Sequence, residues 1–182
     1  MSIASLSTER LLLRPFELSD APAFHALVSD PRVLRYTGES AVGDIEGARE
    51  VLRTRPLADY RAHGFGRMAC IERESGRLIG FSGLKYLADL EAVDIGYRFV
   101  PEAWGRGYAT ESARPLVRQG FEVLGLERII GLVMAQNLAS ARVLVKLGLL
   151  HDGQVRVPEC PDPLDRYALT ADRFRAGCPA PD

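Results

Sequence analysis

Residues 100–111, Val-Pro-Glu-Ala-Trp-Gly-Arg-Gly-Tyr-Ala-Thr-Glu, are where this chain is best equipped for chemistry. An apolar, strand-like run over residues 92–100 stops at Pro101, Gly105 and Gly107 flank Arg106, and a helical pattern begins near Tyr108. A strand, a glycine turn and a helix N-terminus together make an anion site: the first N–H groups of a helix have no helical acceptor, the dipole adds partial positive charge, and glycine allows close approach. The chemistry expected there is phosphate binding. The turn matches neither G-x-x-x-x-G-K-[ST] nor G-x-G-x-x-G, so neither common nucleotide loop explains it, and taken alone it also fits a plain strand-to-helix connection.

Other side chains stand out by type and place. Asp94 interrupts the apolar run Ala92-Val93-Asp94-Ile95, where it is read either as a solvent-facing or salt-bridged carboxylate or as a working one. Glu102 and Glu111 flank the turn; the latter falls where a carboxylate complements a helix dipole. Arg142 and Lys146 lie four apart, on one helix face. His25 and His151 are single histidines without a visible partner. Cys70, Cys160 and Cys178 are odd in number and widely spaced, which points to free thiols in a reducing cytoplasm and to no metal site.

Elements that would hold these residues follow from periodicity and punctuation. A first strand covers residues 9–16, with Pro15 near its end; Ser19 is placed as the N-cap of a helix running to about Val28, stopped by Asp30-Pro31. A second helix covers residues 44–60, with Pro56 expected to kink or break it. Residues 65–73 and 77–86 form a hairpin about Glu74-Ser75-Gly76, followed by the strand over residues 92–100. A helix spans residues 108–124 with Pro115 inside, then a β-branched central strand at 128–134, a helix from Asn137 to Leu147 with Gly148 closing it, and strands near 149–157 and 165–170. The order β-α-α-β-β-β-α-β-α-β-β implies an α/β (mixed α+β) fold, with a mixed, mostly antiparallel sheet of about seven strands flanked by about four helices. One domain is expected over residues 1–182, with its core at about 8–170 and a frayed tail at 177–182.

Bulk properties exclude several classes. Hydrophobic residues make up 47% and charged residues 26%, a globular balance, and a net charge of −1 argues against a chain built for nucleic acid. The start lacks the basic and apolar segments of a signal peptide, and no apolar run approaches the roughly 20 residues of a membrane span, so a cytoplasmic protein is expected.

Four pieces resemble the GNAT superfamily of acyl-CoA-dependent N-acyltransferases: T-E-R-L-L-L-R-P-F at 8–16, D-P-R-V-L-R-Y-T at 30–37, D-I-G-Y-R-F-V-P-E-A-W-G-R-G-Y-A-T-E at 94–111 and N-L-A-S-A-R-V-L-V-K-L-G-L at 137–149. Within it the chain is most similar to the ribosomal-protein-alanine/serine N-terminal acetyltransferase-like branch. Trp104 stands where the superfamily usually has Gln or Arg, and Leu149 where the branch usually has Phe. The resemblance implies acetyl-CoA as cofactor, no metal, and direct transfer to a primary amine, either a protein N-terminus or a small molecule. It places the pyrophosphate on the backbone N–H groups of Gly105, Arg106, Gly107, Tyr108, Ala109 and Thr110. The pantetheine arm falls on the backbone of Arg98, Phe99 and Val100, where the resemblance implies that the strand splays open, and which would also supply an oxyanion donor. Asn137 becomes an arm contact, Ser140 a proton donor to sulfur or a helix-capping residue, and Arg142 a partner for the 3′-phosphate or a solvated cation. Asp94 becomes a candidate base and Tyr36 an acceptor contact or a core tyrosine. A homodimer is among the expected assemblies. The same features allow a non-catalytic acyl-CoA-binding module.

Overall fold

A computed structural model describes residues 3–158 and 160–177. Its strands form one eight-stranded sheet in the order β1-β2-β3-β4-β5-β6-β8-β7: β1 (Leu6–Ser7), β2 (Leu11–Pro15), β3 (Arg67–Glu72), β4 (Leu78–Leu87), β5 (Ala92–Phe99), β6 (Arg128–Val133), β7 (Leu150–Val155) and β8 (Leu164–Thr170). Every neighbouring pair is antiparallel except β5 and β6. The helices are α1 (Ala21–Ser29), α2 (Pro31–Leu34), α3 (Ile45–Thr54), α4 (Pro56–His63), α5 (Tyr108–Glu122), α6 (Leu138–Lys146) and α7 (Ala171–Arg175).

The expected mixed sheet is present, with one more strand and three more helical segments than expected. The two-residue β1 and the five-residue α7 are too short to leave a periodic pattern. Pro31 starts α2, whose N-cap Asp30 accepts the N–H of Arg32. Pro56 divides the expected 44–60 helix in two: with no N–H to donate it fits the first turn of α4, and Arg55 turns the chain before it. Ser19 does not cap α1; it lies in a 3-10 turn, and Asp20 takes the N-cap position, its carboxylate accepting the N–H of Glu17 and a bidentate pair from Arg14. Pro115 is carried inside α5, which continues through it to Glu122. The tail expected to fray falls, apart from Gly177, outside the described residues, as does Cys178.

Alternation along the strands separates two cores. On one face Met68, Leu84, Ile95 and Phe99 pack against Tyr108, Leu116 and Val117 of α5. On the other, Ala69 and Phe81 meet Phe24 of α1 and Ala48 and Leu52 of α3. Burying each large apolar side chain contributes about 1.5–3 kcal/mol, which fixes the strand register between the helical layers.

The sheet opens at one place. β5 and β6 pair only at Val93↔Ile129 and Asp94↔Ile130. Beyond Asp94, β5 continues to Phe99 beside β4 alone, while β6 continues to Val133 beside β8. A wedge therefore opens toward the C-terminal ends of both strands, below the start of α5.

Candidate active site

The glycine turn sits at the mouth of this wedge. Pro101–Ala103 form a short 3-10 turn, and Gly105 and Gly107 take φ of 72° and 82°, which L side chains disfavour. The first bond of α5 runs from the N–H of Glu111 to the carbonyl of Gly107 at 3.0 Å. Gly107 is the N-cap and offers no side-chain oxygen. Among the described residues the N–H groups from Gly105 to Thr110 have no acceptor, so six donors converge on one loop. An anion, not the chain, is what would satisfy them.

Cations flank this loop. The guanidinium groups of Arg10 and Arg106 lie 4.4 and 4.9 Å from the centre of the Tyr108 ring. Tyr108 donates to Glu72 at 2.6 Å, holding that carboxyl below the usual range, and Arg106 also leans to Glu72, at 3.4 Å. Glu111 does more than complement the dipole: it accepts from Thr8 and from the backbone and side chain of Arg10, tying the first hairpin to the helix.

Inside the wedge the backbone of β5 is only partly available. The N–H of Val100 donates to Ile79 at 2.9 Å and its carbonyl accepts the N–H of Ala103 at 2.9 Å, so neither group is free for a pantetheine arm or an oxyanion. Alternation then turns the backbone groups of Arg98 toward β4 and those of Ile95, Tyr97 and Phe99 into the wedge. The Phe99 carbonyl is capped by the indole N–H of Trp104 at 2.8 Å, a contact that explains what the tryptophan does in the turn. Across the gap, the Tyr97 hydroxyl donates to the Ser140 carbonyl at 3.0 Å and lies 3.2 Å from Ser140 Oγ. Burial pushes Tyr97 well above the usual phenol range, so it stays protonated. Asn137 is the N-cap of α6, its side-chain oxygen accepting the N–H of Ser140 at 3.2 Å. Asn137, Ser140, Arg142 and Lys146 all face the same cleft.

The opposite face of the sheet forms the other wall. Asp94 bonds the Arg67 guanidinium through Oδ2 and accepts the Leu132 N–H at 3.3 Å through Oδ1, so its carboxylate closes the apex of the wedge. The Arg67 side chain runs across Gly83 and Gly96, which are paired across β4 and β5. A Cβ at Gly96 would fall on that guanidinium. Beside it Glu39 takes Arg98 at 2.7 Å and also Arg55. Burial raises the Glu39 carboxyl, but the two guanidiniums outweigh it and hold it below the ordinary range. Tyr36 lines this wall, with Arg35 5.1 Å over its ring. Asp59 of α4 also lines it; burial raises its pKa, and its carboxylate has no hydrogen-bond or ion-pair partner among the described residues.

The two walls belong to one cleft of about 1240 Å³. The structure brings together every residue singled out in the sequence for the loop, the arm and the acceptor except the side chain of Arg106, which leans away to Glu72, and the backbones of Arg98 and Val100, which are committed to β4 and, for the Val100 carbonyl, to the 3-10 turn. Glu102 lies outside it, exposed and 3.8 Å from Arg32; His25 meets the Val42 carbonyl and His151 is on the far edge strand. Arg67, Tyr97, Arg98 with Glu39, and Asp59 carry the site without having been noticed as side chains in the sequence. Among the described residues no three His, Cys, Asp or Glu gather as a metal site, and no helix is long and apolar enough to cross a membrane.

Comparison with known proteins gives the same reading. The chain is 36% identical, over 83% of its length and 85% of the relative's, to the "Uncharacterized N-acetyltransferase YoaA" of Bacillus subtilis (strain 168). An acetyltransferase structure from Agrobacterium tumefaciens str. C58 superposes with a TM-score of 0.79 at 30% identity, covering 93% of this chain and 95% of that one. The ribosomal-protein-S5-alanine acetyltransferase of Vibrio fischeri shares the fold, with a TM-score of 0.77 at 18% identity over 93% and 97% of the two chains. Residues 10–150 match the acetyltransferase (GNAT) domain. With the uncapped helix, the wedge and these likenesses in agreement, the chain is an acyltransferase and belongs to the GNAT acetyltransferase family.

Proposed function

We propose that the protein transfers an acetyl group to a primary amine by direct attack in a ternary complex. The observation that carries this reading is the opening of β5 from β6 directly beneath six unpaired N–H donors. Acetyl-CoA, the donor that GNAT acetyltransferases use, supplies the acyl carbon and the leaving thiolate. Backbone groups of residues 105–110 hold its pyrophosphate, those of Tyr97 and Phe99 align its arm, and Arg142 and Lys146 meet the charge at its far end. Two opposed walls let donor and acceptor be present together, which lowers the entropic part of the barrier.

Proton handling is divided between the walls. Ser140 Oγ passes a proton to the leaving sulfur as the C–S bond breaks and is refilled by the proton that the new amide nitrogen gives up, and the Tyr97 hydroxyl, fixed on Ser140, keeps that group oriented. Asp94 has partners on both oxygens, and its role is to hold Arg67 and the apex of the wedge. Asp59, without a partner, is the carboxylate best placed to take an ammonium proton from an entering acceptor. The acceptor class includes protein N-termini and small amines.

Thermal unfolding with acetyl-CoA tests the binding half: a ligand that binds only the folded chain adds about 2.7 kcal/mol at a hundredfold excess over Kd. Release of free thiol across a panel of peptide N-termini and small amines tests the transfer half. No thermal shift at millimolar acetyl-CoA sinks the whole reading; a shift without thiol release leaves an acyl-CoA-binding module.

A further inference from the structure

The acceptor wall has a charge arrangement that the transfer chemistry does not require. Glu39 is one carboxylate shared by two guanidiniums, Arg55 and Arg98. Asp59 on the same wall is set against Lys85, so the wall still carries positive charge over, although the chain as a whole is at −1. Arg98 is nearly enclosed, with 15% of its side chain exposed, and among the described residues its charged contacts are Glu39 and, at 5.3 Å, the ring of Phe81. A guanidinium carries five N–H donors, and one carboxylate oxygen does not satisfy them. Among the described residues the sealed side-chain atoms that lack a partner are Ser82 Oγ and Arg166 Nε, so the remaining donors of Arg98 are reached from the cleft. Arg35 adds a further cation on the same wall, its guanidinium over Tyr36 and without an ion-pair partner among the described residues. Arg67 is neutralised by Asp94 and adds nothing to this excess.

Resting on the acetyl-transfer reading, we propose that the acceptor is an amine that also carries a carboxylate, an amino acid or an acidic peptide, and that Arg98 and Arg55 hold this carboxylate while the amine points to the wedge. A planar carboxylate matches the guanidinium fork and would share the arginines with Glu39. Such a wall repels polycations, so a polyamine is a poor acceptor here. Arg98 lies in β5, one residue before Phe99, so an anion held on it fixes the distance from the amine to the arm of the donor.

The test uses matched acceptors that differ only in the anion: methionine against methioninamide, and Ala-Asp amide against Ala-Asn amide, with spermidine as the polycation. A free carboxylate makes the neighbouring amine of methionine the more basic, so amine ionisation alone favours the amide. We expect the carboxylate member of at least one pair to have a kcat/KM higher by roughly tenfold or more, mostly through KM, in line with a charge-assisted hydrogen bond. The same member should raise the melting temperature without acetyl-CoA present. Arg98→Gln and Arg55→Gln should each narrow the ratio within the pair, with the acetyl-CoA thermal shift of each variant confirming that it is folded. Equal use of the members, a preference for the neutral members or spermidine, or a ratio unchanged in both folded variants overturns the proposal while leaving acetyl transfer standing. No thiol release with any amine overturns the transfer reading and this one with it.

Discussion

The guanidinium of Arg67 reaches the carboxylate of Asp94 across two strands, over the bare backbone of Gly83 and Gly96. Both charges are largely withdrawn from water, with 17% and 10% of the side chains exposed. Each charge is neutralised by the other, and together they pin the last paired residue of β5 before it leaves β6.

Removing one member should therefore harm the fold more than removing both. Arg67→Met leaves a mostly buried carboxylate without its cation, and we expect a loss of about 3–5 kcal/mol in urea unfolding. Arg67→Met with Asp94→Asn should recover a large part of it, a coupling that a double-mutant cycle measures directly. Strict additivity of the two changes would mean that the pair does not stabilise the apex.

At the loop, the two glycines separate strain from ligand contact. A Cβ at Gly105 meets nothing within 4 Å, so Gly105→Ala costs only the left-handed conformation, about 1–2 kcal/mol. Gly107→Ala carries the same strain at the N-cap of α5, where relief would rotate the N–H donors away. The expected result is a smaller thermal shift with acetyl-CoA for Gly107→Ala than for Gly105→Ala at comparable stability loss.

Ser140→Ala should lower kcat by roughly a hundredfold if Oγ protonates the leaving sulfur, with the KM for acetyl-CoA little altered. Tyr97→Phe should produce a milder loss of the same kind. Because Tyr97 is held protonated by burial, neither wild type nor Ser140→Ala should show an alkaline limb from it.

Glu111 and Asp59 should have opposite effects on stability against pH. Despite burial, which raises it, the Glu111 carboxyl is held below its ordinary value of 4.5 by Thr8 and Arg10, so the folded state loses its contribution as pH falls through the folded pKa. Asp59 is raised above 3.8 by burial, so its contribution is present at low pH and lost as pH rises through its folded pKa. At pH 7 Glu111→Gln should unfold more easily than wild type and Asp59→Asn less easily, while Asp59→Asn should also lose turnover. A carboxylate retained at a cost to stability is expected where the site needs it; full activity in a stabilised Asp59→Asn would remove it from the mechanism.

How much of this could be read from the chain depended on sequence distance. The turn and helix from Pro101 onward were legible because proline, two glycines and an apolar stripe are local signals, and the Asn137 cap was legible for the same reason. The wedge was expected only through the family resemblance, because the register between β5 and β6 is a tertiary property with no mark at residue 94 beyond the aspartate itself. The partner of that aspartate lies 27 residues away in β3, and Glu39 meets arginines 16 and 59 positions off. One signal was present and unused: Gly83 and Gly96 inside otherwise strong strands announce that something must pass close to the backbone there. Val100 misled because its place at the end of the run hid that its N–H extends the ladder to Ile79 while its carbonyl closes the 3-10 turn.

Trp104 is the single tryptophan of the chain, and its indole N–H rests on the Phe99 carbonyl at the mouth of the wedge. The tryptophan emission of this protein therefore comes from one place. A molecule that slides along β5 and takes that carbonyl must release the indole into water or cover it, and either event changes colour or intensity. Folded protein in a cuvette thus contains its own dye for the arrival of a donor, read without labels.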